Sequence, residues 1–125
     1  MRFKAILFHF LVMSFMAAWP VAAQQPIQLV GFGDSLMAGY QLAPSESYTA
    51  QLETALQAKG HDVVVANAGV SGDTTSGGLS RVDWSVPDGT DGVILELGAN
   101  DALRGISPDE TEKNLDAIIS RLTER

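Results

Sequence analysis

The sequence has 125 residues, enough for one domain, and its 15 acidic against 8 basic side chains give a formal net charge of -7. A chain this acidic is not expected to bind nucleic acid or an anionic membrane through charge. It contains no cysteine, which excludes disulfides, thiolate metal sites and a lipid-modified cysteine anchor.

Residues 1–23 have the pattern of a secretory signal peptide. Arg2 and Lys4 give a positive start, an apolar run follows from Ala5 to Ala18, and Val21-Ala22-Ala23 offers the small residues that a signal peptidase reads. A membrane anchor is the alternative, but the run is shorter than the ~20 apolar residues of a bilayer span. We therefore expect cleavage after Ala23 and no stable membrane anchor afterwards. An exported protein without cysteine is more typical of a bacterial periplasm or medium than of a eukaryotic secretory route.

Three short apolar runs alternate with helix-like segments through the mature part, residues 24–125. Such near-continuous apolar runs are typical of parallel strands that are buried on both faces. Alternation of strand and helix with right-handed crossovers predicts an α/β fold with helices on both faces of a parallel sheet in the order 2-1-3. The predicted strands are 27–32, 63–66 and 93–97.

Three helices are predicted between and after these strands. The first runs from about 46 to 59, with Ser45 as its cap and Gly60 after its end. The second, over 74–84, contains a Gly-Gly pair that weakens it. The third begins at Ser107-Pro108-Asp109-Glu110, a cap serine followed by proline and a capping-box glutamate.

Ser35 follows the first strand directly, and two later loops carry Gly72 and Asn100 at the ends of the other strands. The carboxyl ends of parallel strands meet at one edge of a sheet, where open α/β folds bind ligands. Ser35 is therefore a candidate nucleophile, which needs a base within hydrogen-bond reach. The N–H groups of Ser35 and Gly72 and the Asn100 carboxamide are candidate donors to an oxyanion. Each residue alone could equally be an ordinary turn residue.

Three motifs resemble the conserved blocks of the GDSL or SGNH hydrolases. They are Gly33-Asp34-Ser35-Leu36, the stretch from Asn67 to Asp73 that contains Gly72, and Gly98-Ala99-Asn100-Asp101. Over residues 27–125 the chain is most similar to the thioesterase I/lysophospholipase and arylesterase branch. The resemblance implies a three-layer, flavodoxin-like α/β/α fold and hydrolysis of a small ester or thioester through an acyl-serine intermediate. It implies no cofactor.

The family's last block, an aspartate followed three residues later by histidine, is absent. His9 lies in the signal peptide, and His61 precedes the second strand at the opposite edge from Ser35. A strand of five or six residues separates those edges by roughly 15 to 20 Å, so we expect no general base for Ser35 in this chain. The last helix also ends without a cap, and the third strand is an open edge. We expect an amino-terminal part of a hydrolase domain with further strands missing; a non-catalytic ester- or acyl-binding remnant is the alternative.

Four acidic residues lie near these motifs, and the two that flank the site residues are expected to support the site rather than to act as bases. Asp34 and Asp101 are predicted to accept hydrogen bonds and hold the loops around Ser35 and Asn100. Asp73 is either a third brace or the cap of the second helix, and the cap is favoured. A buried Glu96 would need a partner such as Arg104.

Other kinds of site find little support. Met37, Tyr40 and Leu42 could line an acyl pocket, although apolar loop residues more often only pack. The glycines around Phe32 lack the third glycine of a dinucleotide fingerprint, because Leu36 occupies that position. The two histidines show no metal-ligand spacing, so no metal is predicted. The sequence does not indicate an oligomeric state.

Overall fold

The computed structural model describes residues 25–124, so the predicted signal peptide over 1–23 and its cleavage site lie outside the described residues. None of the helices in this described part is long and apolar enough to cross a bilayer. The elements in chain order are β1 Ile27–Gly33, α1 Ser35–Ala38, a 3-10 turn Pro44–Glu46, α2 Tyr48–Ala58, β2 Val63–Gly69, α3 Thr75–Ser85, β3 Gly92–Glu96, α4 Ala99–Leu103 and α5 Pro108–Thr123.

The three strands form one parallel sheet in the order β2-β1-β3, which confirms the predicted topology. Ile27 of β1 is level with Val63 of β2 at the amino edge. At the other edge Gly33 is level with both Gly69 and Glu96. The register therefore brings the loops that follow all three strands to the same rim of the sheet.

Helices cover both faces of the sheet, as expected for an α/β/α arrangement. On one face, α3 and α5 pack together over Val30 and Phe32, and the buried cluster is completed by Val82, Val86 and Ile118. On the other face, α1 and α2 approach the sheet closely, because Gly31 leaves room for side chains from both helices.

Side chains of α2 also bond to the outer side of β2. The Glu53 carboxylate accepts a hydrogen bond from the Val65 N–H at 2.7 Å. The Gln57 amide donates to the Val63 carbonyl oxygen at 2.9 Å. Backbone groups on the side of β2 away from β1 are thus paired with polar side chains.

The predicted cap is confirmed for one helix and is wrong for two. Ser107 accepts from the Glu110 N–H, as predicted for α5. Ser45 was predicted to cap α2, which is wrong: Ser47 is the cap and accepts from Ala50, because Pro44 starts a separate 3-10 turn. Thr74 rather than Asp73 caps α3 and accepts from the Gly77 N–H. Serine and threonine both cap helices well, so such a residue one or two positions further along the chain can take the role of the predicted cap.

We expect Ile118→Ala to lower the free energy of unfolding by about 2–5 kcal/mol, because this side chain of α5 is fully buried against α3 and the sheet. Ile119→Ala on the same helix is the matched control, since that side chain is 48% exposed. Urea unfolding of both variants measures the difference. Equal losses for the two would contradict the packing described.

Candidate active site

Ser35 is the first residue of a very short helix that begins where β1 ends. Asp34 caps this helix, and its carboxylate accepts the Leu36 N–H at 3.0 Å. Gly39, in a left-handed conformation, ends it one turn later. The turn packs so closely that a methyl group on Gly33 would lie 2.6 Å from the Glu96 carbonyl oxygen. Glycine at this position allows a serine to sit at the rim of the sheet.

Gly72 occupies a left-handed turn, with a φ of 82° that favours glycine. Its carbonyl oxygen accepts a hydrogen bond from Arg104. Within residues 25–124, neither the Ser35 N–H nor the Gly72 N–H has a hydrogen-bond partner. These are the two backbone groups that the sequence singled out as oxyanion donors, a role that stays a prediction.

Asn100 lies in the first turn of α4 rather than in a loop, and it joins the segments that follow the three strands. Its side-chain nitrogen lies 2.9 Å from the Asp34 carboxylate, next to Ser35, and 2.8 Å from the Asp73 carbonyl oxygen, next to Gly72. Donation to a substrate oxygen would replace one of these two bonds. The bond to the neutral carbonyl is the weaker, because the other is charge-assisted. The segments that carry Ser35, Gly72 and Asn100 therefore meet at one rim.

Asp34 and Asp101 are both buried, each 1% exposed, and both are hydrogen-bonded. Asp34 accepts from Leu36 and Asn100, so it links the turn of Ser35 to the first turn of α4. Asp101 accepts from the N–H and the hydroxyl of Thr75, at the start of α3. Two loops of the rim are thus held by carboxylates next to the predicted site residues.

Asp73 does not cap α3, which corrects the favoured prediction. Its carboxylate forms an ion pair with Arg81, with Nε 2.7 Å from Oδ2. Arg81 is a partner that sequence reasoning missed. It lies with Gly78 and Val82 on the buried face of α3, and a cation among core positions was the available signal.

Glu96 is half-buried rather than buried, and it does not pair with Arg104, the partner considered for a buried carboxylate at this position. Arg104 donates to Gly72 instead. Glu96 lies beside the helix start at Ser35 and accepts a long bond, 3.3 Å, from the Asp34 N–H. Loss of hydration raises the pKa of the Glu96 carboxyl above 4.5, the nearby Asp34 carboxylate raises it further, and the Asp34 N–H opposes both.

We expect Glu96→Gln to stabilise the fold relative to the native protein at pH 7 more than at pH 4. The pKa of Glu96 is higher in the folded chain than in the unfolded chain, where it is 4.5. The contribution of Glu96 to the free energy of unfolding is therefore fully present below pH 4.5, and it is lost as the pH rises through the pKa of the folded chain. Glutamine removes that loss and keeps an acceptor for Asp34. Thermal unfolding at both pH values measures it, with exposed Glu112→Gln as the control for charge. A benefit independent of pH would contradict the assignment.

His61 lies at the amino edge of the sheet. It precedes β2, whose first residue, Val63, is level with Ile27, whereas Ser35 follows Gly33 at the opposite end of β1. His61 is the only histidine among the described residues, and it is exposed. Its position is the one predicted from the sequence, and none of the residues 25–124 supplies an imidazole to Ser35.

The residues considered for an acyl pocket divide into two groups. Met37 is buried against Gly31, whereas Tyr40 and Leu42 are exposed. A largely apolar cavity of about 250 Å³ includes Met37, one of these three candidates, in its lining. It is lined by Leu36, Met37, Tyr48, Ile94 and Glu96. In the described part of the chain, no cluster of histidine and acidic side chains could hold a metal ion.

A parallel 2-1-3 sheet that gathers a serine, a glycine and an asparagine at its carboxyl edge is the arrangement of the SGNH-type α/β proteins. Residues 32–125 match the GDSL-like lipase/acylhydrolase family. The chain belongs to this family, which confirms the resemblance seen in its motifs.

Three relatives show where the similarity lies. An arylesterase from Vibrio mimicus is 45% identical over 100 residues, which cover 79% of this chain and 50% of the relative. Thioesterase 1/protease 1/lysophospholipase L1 of Escherichia coli K12 is 40% identical over 92 residues, 73% of this chain and 43% of the relative. The crystal structure of AlinE4, an SGNH-hydrolase family esterase, superposes with a TM-score of 0.77 at 48% identity, over 82% of this chain and 56% of that one. The chain spans about half the length of the curated relatives it matches.

Proposed function

We propose that the protein hydrolyses small esters or thioesters through an acyl-serine intermediate on Ser35. The observation that carries this proposal is the position of Asn100, whose amide bonds to both neighbouring loops of the site. A hydroxyl, two backbone N–H groups without protein partners and a carboxamide then share one rim. This is the set that acyl transfer to serine requires apart from the base.

In the proposed reaction, the Ser35 hydroxyl oxygen attacks the substrate carbonyl carbon while a base removes its proton. The carbonyl oxygen becomes an oxyanion, which Ser35 N–H, Gly72 N–H and the Asn100 amide stabilise. Collapse expels the alcohol or thiol, which takes up the proton, and water then hydrolyses the acyl-serine by the same steps. We propose that the base is a histidine of an Asp-x-x-His block outside residues 1–125, and reading the gene beyond the codon for Arg125 tests this.

An ester- or acyl-binding protein without turnover is the second candidate. The location of His61 at the far edge of the sheet favours it, because a serine without a base is a weak nucleophile at neutral pH. Such a protein would still bind a carbonyl compound at the rim. Binding without product release is the outcome that distinguishes it.

The names of the relatives, which include an arylesterase and a thioesterase/lysophospholipase, support esters and thioesters as the substrate class. The pattern of residues 1–23 supports export to the periplasm or the medium as the site of action.

The test is hydrolysis of p-nitrophenyl acetate, butyrate and octanoate, and of a butyryl thioester, by the full-length gene product. We expect release of p-nitrophenol with saturable kinetics on short to medium acyl chains. If the circular dichroism spectrum shows a folded protein and none of these substrates is hydrolysed, the proposed hydrolase function is rejected. Binding of the same esters without turnover would favour the second candidate.

A further inference from the structure

Arg81 is a buried cation that the proposed reaction does not use. Its side chain is only 7% exposed, on the face of α3 that packs against the sheet. Burying a charge is costly unless it is paired and hydrogen-bonded. Replacing a buried ion pair with apolar side chains is often neutral or stabilising, so stability alone is a weak reason for an arginine here.

The three guanidinium nitrogens bond to three segments of the site. Nε donates to the Asp73 carboxylate at 2.7 Å, Nη1 to the Ala68 carbonyl oxygen at 2.8 Å, and Nη2 to the Gly33 carbonyl oxygen at 2.9 Å. Gly33 lies two residues before Ser35, and Asp73 lies directly after Gly72. One planar group therefore connects the end of β1, the end of β2 and the loop that carries Gly72.

Two further contacts fix the plane of this group. The guanidinium carbon lies 4.1 Å from the centre of the Phe32 ring, and Nη1 also reaches the Ser85 hydroxyl at 3.3 Å. Stacking and a rigid fork of donors are properties of arginine that lysine lacks. The network continues to the third loop, because the Asp73 carbonyl oxygen accepts from Asn100.

We propose that Arg81 is a positioning residue, which sets the spacing between Ser35 and Gly72 by holding the ends of β1 and β2 against the Gly72 loop. Its kinetic consequence rests on the proposed hydrolase function. An oxyanion is stabilised only when its donors lie about 2.7–3.1 Å from it, and a misplacement of about 1 Å can cost a hundredfold in rate. Loss of Arg81 should therefore lower kcat by a larger factor than it weakens substrate binding.

The test compares Arg81→Met and Arg81→Lys with Arg121→Met and Arg121→Lys in the full-length protein. Arg121 is a matched control, because it also forms an ion pair, with Asp83, and bonds to a carbonyl oxygen, but its side chain is 47% exposed and touches no segment of the site. Rates on p-nitrophenyl butyrate are measured well below the melting temperature of each variant. We expect kcat of Arg81→Met to fall by about 10- to 100-fold with KM within about threefold, and Arg81→Lys to lie between it and the native protein.

Crystal structures of the native protein and an Arg81 variant give a measurement independent of activity. We expect the separation of the Ser35 and Gly72 amide nitrogens to change by about 1 Å. An unchanged separation, or native kcat in folded Arg81→Met, would overturn the proposal. If Arg81→Met does not fold, the same two measurements on Arg81→Lys decide. A native protein without turnover would reject the hydrolase function, while the crystal structures would still decide the role of Arg81.

Discussion

Ser35→Ala is expected to lower kcat/KM for p-nitrophenyl butyrate by at least about 10⁴-fold, because it removes the oxygen that attacks the substrate. The rim that binds the oxyanion would remain, so KM should change little. Ser35 is half-buried and its hydroxyl has no hydrogen-bond partner among residues 25–124, so the fold should be unaffected, within about 0.5 kcal/mol. Steady-state kinetics and thermal unfolding measure the two effects.

Ser76→Ala is the matched control for this change, since Ser76 is an exposed serine on α3. It should keep native activity. Mass spectrometry after treatment with a fluorophosphonate adds a direct readout: one adduct on the native protein and on Ser76→Ala, none on Ser35→Ala. Native activity or an adduct in Ser35→Ala would show that another group is the nucleophile.

Asn100→Ala is expected to lower kcat by about 100- to 1000-fold, the usual effect of losing one oxyanion donor. The change also removes the link between Asp34 and the Asp73 carbonyl oxygen, so some stability is lost, about 1–3 kcal/mol. Kinetics well below the melting temperature separate the two effects, because a folded but slow enzyme shows the loss of the donor.

Asn114→Ala provides the comparison for stability. Asn114 is a buried amide, whereas Asn100 is half-buried, and the Asn114 side chain donates to the Thr75 hydroxyl of α3 at 3.1 Å. This variant should unfold at a lower temperature yet keep kcat. If both asparagine variants lost turnover equally, the effect of Asn100 would be one of folding, and its role as a donor would be rejected.

The sequence was sufficient for the topology and for the meeting of the three loops. Both follow from strand order and from the rule that parallel strands end at one edge, and neither depends on side-chain detail. The location of His61 at the far edge followed from the same rule. These predictions require only the order and the parallel direction of the strands.

The side-chain contacts between these segments could not be predicted from strand order and chain direction. Asp73 precedes a helix and has the side chain of a cap, but Thr74 took that role and left Asp73 to pair with Arg81. Which of two adjacent polar residues caps a helix depends on differences of about 1 kcal/mol, and a buried arginine within reach is enough to decide it. The sequence left the partners of Glu96 and Arg104 open for a related reason, because each side chain bonds to a backbone group of another segment.

The polar side chains of α2 that bond to β2 also affect how copies of the protein meet. A bare strand edge is a template onto which a strand of another molecule can add. Glu53 and Gln57 occupy hydrogen-bonding positions that such a strand would need, and Glu53 places a negative charge beside them. A strand from another molecule that paired with Val63 and Val65 would first have to displace these two side chains.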